Sequence, residues 1–133
     1  MAVKKATRKS AGRAKAPRQT EGMKDLEQKI GKVPVFFREL METQPDMHGA
    51  ILAFDRHIWD DGALSRKTKK ILAISIAAAL RDQHAVQAQL AGAKRLGVSP
   101  EEIEEALRVT FLLSGMPAYV YGRAAMEKIM GKE

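Results

Sequence analysis

Residues 71–80 (ILAISIAAAL) carry a single polar side chain, Ser75, and constrain the fold more than any other segment. Ser65 is placed to N-cap a helix that begins basic, with Arg66, Lys67, Lys69 and Lys70, and becomes apolar on every side over 71–80. A helix apolar all round is buried, either in a domain core or between subunits. At about half a membrane span, and interrupted by Ser75, the run is too short to cross a bilayer. Its basic first turns oppose the helix dipole at a small cost, so solvent or an acidic partner is expected to meet them.

No segment alternates with period two over a useful length, whereas helical spacing recurs throughout. The expected fold is therefore all-α, a compact multi-helix domain. A short first helix over residues 23–30 places Leu26 and Ile30 on one face. Pro34 opens a second, with Phe37, Leu40 and Met41 as its stripe. A third, over residues 46–60, repeats Met47, Ala50, Ile51, Phe54 and Ile58 at helical intervals, which predicts an inward stripe. Nothing in residues 80–84 decides between one long helix and two. The sixth helix has the clearest start: Ser99 as N-cap, Pro100 at the first position and Glu102 closing a capping box. Its expected inward face is Ile103, Ala106, Leu107, Thr110, Phe111 and Ser114. Gly115 stops it, and Pro117 opens a seventh with Val120, Tyr121, Ala124 and Ala125 inward.

The net charge of +7 is unevenly distributed. Seven of the 23 basic residues and no acid lie in residues 1–20, leaving 16 basic residues to balance the 16 acids in residues 21–133. The expected organisation is a disordered basic tail, 1–20, and one helical domain, 21–133. The tail reads as an arm for a polyanion such as nucleic acid, as a targeting segment, or as a solubilising extension. No aromatic residue is interleaved for base stacking. The tail has no apolar core of a secretory signal, so a cytoplasmic protein is the expectation, without a membrane partner. Cysteine is absent, which rules out disulfides and thiolate metal sites within these residues.

Several features of residues 70–121 occur together: the apolar helix, a following helix ending at Lys94-Arg95-Leu96-Gly97, the run Val98-Ser99-Pro100-Glu101-Glu102-Ile103, and Gly115-Met116-Pro117-Ala118. In this, roughly the second half of the chain resembles the carboxymuconolactone decarboxylase family, which includes the alkylhydroperoxidase D-like proteins. The resemblance implies a break near residue 82, with Asp82 as N-cap of the fifth helix. It also implies a homo-oligomer, either a trimer or a hexamer of paired trimers. In the redox branch of that family a glutamate, a Cys-x-x-Cys pair and a histidine carry the chemistry. Counted back from Gly97, those slots hold Lys70, Asp82, Ala85 and Gln89. Neither a thiolate nor a disulfide can form in them, so thiol peroxidase activity is excluded unless a partner supplies the thiols.

The residues left for chemistry are Lys70, Asp82, His84 and Gln89. Lys70 reverses the charge of the family's glutamate; it either binds an acidic substrate or is a solvated member of its basic cluster. Asp82, Ala85 and Gln89 share one helical face, whereas His84 lies about 100° from Ala85 and about 140° from Gln89. His84 is thus either functional through a neighbouring chain or a partly exposed imidazole at a helix end. His57 flanks the third helix's stripe and reads as half-buried, and His48 as solvated. Trp59 and Tyr119 read as core residues or pocket linings. The three histidines have no carboxylate pairing that marks a metal site, and neither a phosphate-cradling glycine loop nor a nucleophile elbow occurs. No cofactor is expected. Two functions remain. One is non-redox acid–base chemistry on a small acidic or carbonyl compound. The other is a non-catalytic oligomeric scaffold whose several basic arms bind a polyanion by avidity.

Overall fold

The computed structural model describes residues 21–30 and 33–131, with side chains throughout except at a few positions of the first helix. The expectations for residues 1–20, and for the Leu26 and Ile30 side chains, lie outside the described residues. Seven helices follow one another: α1 (Glu21–Ile30), α2 (Val35–Thr43), α3 (Pro45–Trp59), α4 (Arg66–Leu80), α5 (Gln83–Arg95), α6 (Pro100–Ser114) and α7 (Met116–Met130). No strand occurs among the described residues, so the chain is all-α.

Helices α4 to α7 pack on one another as a bundle, α1 lies against α5, and α2 and α3 pair beside α1. The main core is built from Ile74, Ala77 and Ala78 of α4, Val86, Leu90 and Ala93 of α5, Ile103 and Leu107 of α6, and Ala125 and Met126 of α7. Small residues set its spacing. A Cβ on Gly122 of α7 would lie 2.5 Å from a Leu107 methyl and 3.1 Å from the Ala78 Cβ, so three helices close on a position where any side chain must displace its neighbours. A satellite cluster of Met23, Val33 and Phe37 holds α1 and α2 together.

Local signals set the helix ends. Arg81 takes a left-handed conformation (φ 53°), which ends α4, and Asp82 then caps α5. The break implied by the family resemblance is therefore present. At α6 both halves of the capping box form: Ser99 Oγ accepts from the Glu102 N–H at 3.2 Å, and Glu102 accepts from the Ser99 N–H at 2.8 Å. That carboxylate is held below its ordinary pKa, chiefly by the Ser99 backbone bond and then by Lys67.

Several expected faces are corrected. In α3 the inward residue is His48, which is buried, whereas Met47, Phe54 and Ile58 are exposed. The reason is contact: along its length α3 packs on α2 and α1 and meets α4 only at its last turn, so its core face is narrow and centred on His48. His48 is therefore not solvated; its Nε2 lies 3.0 Å from Met23 Sδ and its ring 4.7 Å from Phe37. His57 is exposed rather than half-buried. In α6 the buried set is Ile103, Leu107 and Thr110, with Phe111 and Ser114 outside it, and in α7 Val120 and Ala124 are exposed. Helix α4 buries one face only: Leu72, Ile76 and Leu80, on the opposite side, are open in the single chain.

Candidate functional site

Lys70 sits four, seven and eight residues before Ile74, Ala77 and Ala78, so helical geometry puts it on the core face of α4. It is fully buried, which overturns the reading of a solvated lysine. Its Nζ donates to Gln89 Oε1 of α5 at 2.7 Å and stands 3.8 Å from the centre of the Trp59 ring. Trp59 closes α3, and the basic start of α4 clamps it in place. Arg66 Nε donates to the Trp59 carbonyl at 3.3 Å, and Lys69 Nζ to the carbonyls of Ile58 at 2.8 Å and Asp60 at 2.6 Å. Arg66 also pairs with Asp60 and Asp25, and Lys67 with Glu102. The expected acidic partner for these first turns is thus internal: the carbonyl-rich end of α3 meets the cationic start of α4.

The four family slots therefore form two bonded pairs. Lys70 meets Gln89, and Asp82 Oδ1 accepts from the Ala85 N–H at 2.9 Å as the cap of α5. Asp82 and His84 are exposed in the single chain, so the expected pocket of four residues is reduced there to Lys70 and Gln89 with Trp59 above. Trp59 was legible only as core or pocket lining, because a cation–π contact between α3 and α4 has no sequence spacing of its own.

Magnitudes bear on what holds this arrangement in place. Withdrawing an ammonium from water costs several kcal/mol even after relaxation. A charged hydrogen bond returns about 1.5–3 kcal/mol, and a desolvated cation–π contact about 2 kcal/mol. These two contacts come close to cancelling the desolvation, so they add little net stability by themselves. In general a lysine amine is able to bind a carboxylate, polarise a carbonyl or exchange a proton, whereas a glutamine amide orients and does not titrate.

A second polar network lies between α6 and α7. Tyr119 Oη donates to Glu104 Oε1 at 2.6 Å, Arg108 Nε reaches the same oxygen at 3.3 Å, and Arg123 reaches Oε2 at 3.0 Å. The phenol bond, then Arg108 and Arg123, hold the Glu104 carboxyl below its ordinary value of 4.5, while the same bond raises the Tyr119 phenol. A depressed carboxylate contributes stability that is present above 4.5 and is lost as pH falls through the lower folded value. Thermal melts of wild type should therefore drop below about pH 4.5, and Tyr119→Phe should flatten that decline while lowering stability at neutral pH. Equal acid slopes for the two proteins would remove the network from the account.

Among the described residues no group of three or more His, Asp or Glu side chains is arranged to hold a metal, and no helix is long and apolar enough to cross a membrane. The 740 Å³ groove between α5 and α7 is on another side of α5: it uses Gln83, Val86 and Gln87, not the face of Asp82, Ala85 and Gln89.

Comparison with known proteins agrees with this fold. The chain is 38% identical over 103 residues to an uncharacterized protein of Methanocaldococcus jannaschii, covering 74% of this chain and 99% of that protein. It is 30% identical over 77 residues to uncharacterized protein 4 in the cox locus of Paracoccus denitrificans, covering 58% and 69% of the two chains. A carboxymuconolactone decarboxylase family protein from Legionella pneumophila, solved in its apo form, superposes with a TM-score of 0.68 at 20% identity, over 81% of this chain and 98% of that one. At that identity the likeness speaks for the fold. Because the family model itself matches residues 45–128, from the start of α3 to near the end of α7, the chain belongs to the carboxymuconolactone decarboxylase family.

Proposed function

We propose that this chain is a non-thiol member of its family that performs acid–base chemistry on a small acidic or carbonyl compound at the α4–α5 seam. The observation that carries this reading is the buried Lys70 ammonium bonded to a neutral amide, Gln89, in slots where the redox branch keeps a glutamate and a histidine. A substrate carboxylate or carbonyl would take the place of the Gln89 oxygen beside Nζ, and the amine would then stabilise negative charge or transfer a proton. Asp82 keeps a structural role as the cap of α5, and His84 joins the site only if a neighbouring subunit of a trimer or hexamer covers it.

Trp59 is the chain's only tryptophan, so its fluorescence reports on the Lys70 site. Titration with small carboxylates, 2-oxo acids and lactone acids should change Trp59 emission saturably in wild type and leave Lys70→Met unaffected. The same saturable response in Lys70→Met would refute the assignment.

The segregation of charge in residues 1–20 favours a second reading, an oligomer that displays basic arms to a polyanion. An electrophoretic shift with DNA or RNA at low salt that disappears when residues 1–20 are deleted supports it, and no shift removes it.

A further inference from the structure

His48 is the one buried histidine among the described residues, and its ring faces sulfur: Nε2 lies 3.0 Å from Met23 Sδ, across 25 residues of chain. The two side chains come from different helices, α3 and α1, and are 4% and 3% exposed. Phe37 of α2 closes one side, its ring centre 4.7 Å from that of the imidazole. Met41 stands one turn beyond Phe37 on the same face of α2 and packs against the same cluster. The other members of that cluster, Val33, Leu40, Ile51 and Leu52, are aliphatic. Three helices thus bring an imidazole and two thioethers to an apolar cluster with no carboxylate among its described members. As a hydrogen bond the contact is weak, because a thioether is a poor acceptor. It offsets little of what an imidazole loses on leaving water.

We propose that Met23 and His48, with Met41 beside them, form a binding site for Cu(I). Thioether sulfur and imidazole nitrogen suit this soft cation, whereas hard ions seek carboxylate, carbonyl and water. Both donors are neutral, so a bound ion keeps its full charge inside an apolar cluster. A single charge costs less there than the two of Zn(II) or Ni(II). Since the thioether cannot donate, the proton of the contact sits on Nε2 and points at Sδ; the ion would stand in its place. Methionine is unbranched, with three rotatable bonds, so Met23 can draw its sulfur back to the longer span that a metal requires. An ion held in this way ties α1 to α3 beside α2. No residue of the site belongs to the Lys70 seam, so the proposal is independent of the acid–base reading.

The test is a competition titration of the full chain, without oxygen and with excess ascorbate, against Cu(I) held by the coloured chelator bicinchoninate. Wild type should withdraw a single ion per chain. Met23→Leu, which nearly conserves volume, should bind at least about tenfold more weakly. His57→Gln, at an exposed histidine, should match wild type. Residues 1–20 offer little competition, since they contain no histidine and no methionine after Met1. Should Met23→Leu lose its circular dichroism, wild type labelled at its methionine methyls gives a second reading by NMR, with Ag(I) as the redox-inert ion. The Met23 methyl signal should move on addition of Ag(I), and that of Met47, half-exposed on α3, should not. No withdrawal by wild type, or equal withdrawal by a folded Met23→Leu, would overturn the proposal. Ag(I) shifts at Met47 without Met23 would mean an adventitious ion only and overturn it equally.

Discussion

Replacing Lys70 with methionine is expected to cost at least about 100-fold in turnover, the lower end of what a positioned acid–base group contributes, while leaving the protein as stable as wild type or more so. Methionine keeps the length of the side chain and removes the ammonium. Since the buried charge is nearly offset by its contacts, exchanging it for an apolar group of similar volume is close to neutral in stability. The complementary change behaves oppositely. Gln89→Leu removes an acceptor 2.7 Å from a buried ammonium and should destabilise by about 1–3 kcal/mol, the cost of stranding a polar group. Urea titrations of the two variants measure this contrast. Severe unfolding of Lys70→Met would show that the lysine holds the bundle together and is not kept for chemistry.

The second large effect is expected at Gly122. Valine there must displace Leu107 and press on Ala78, whose Cβ cannot rotate away. Overpacking of this kind costs about 1–3 kcal/mol, sometimes more, and a loss of 2–3 kcal/mol lowers the melting temperature of a domain this size by about 10 °C or more. Alanine at Gly122 is the sharper comparison. In an open helix, glycine to alanine gains up to about 1 kcal/mol, and Gly49 of α3, with nothing near its absent Cβ, should show that gain. Gly122→Ala should instead melt below wild type despite its better helix propensity. If both alanine variants melt higher, the three-helix approach is looser than the geometry indicates.

These two positions also show how far the sequence could be read. The cap at Asp82 was implied only by the family resemblance, whereas the capping box at Ser99 was legible because it satisfies its helix through residues three positions apart, within a single segment. The outward side of α4 was not, because an apolar helix looks alike from every direction until its neighbours are placed. The same holds for α3, where an apolar stripe on paper faces outward and a histidine faces in. Of the two readings of Lys70, the solvated one fails, because a run of basic residues only suggests a wet surface. Its register with Ile74, Ala77 and Ala78 already put it on the core face, and periodicity was the better guide. Its pairing with Gln89 across 19 residues was foreshadowed only by the family's slot positions, and Trp59 by nothing local.

The central claim is that this family member works without sulfur, through an amine. It is tested most directly by one parallel assay of purified wild type and Lys70→Met, following peroxide reduction with a small-molecule thiol and consumption of lactone acids and 2-oxo acids by NMR. The account predicts no peroxide reduction by either protein and acid consumption by wild type alone. Peroxide turnover by wild type, or equal acid consumption by both proteins, would contradict it.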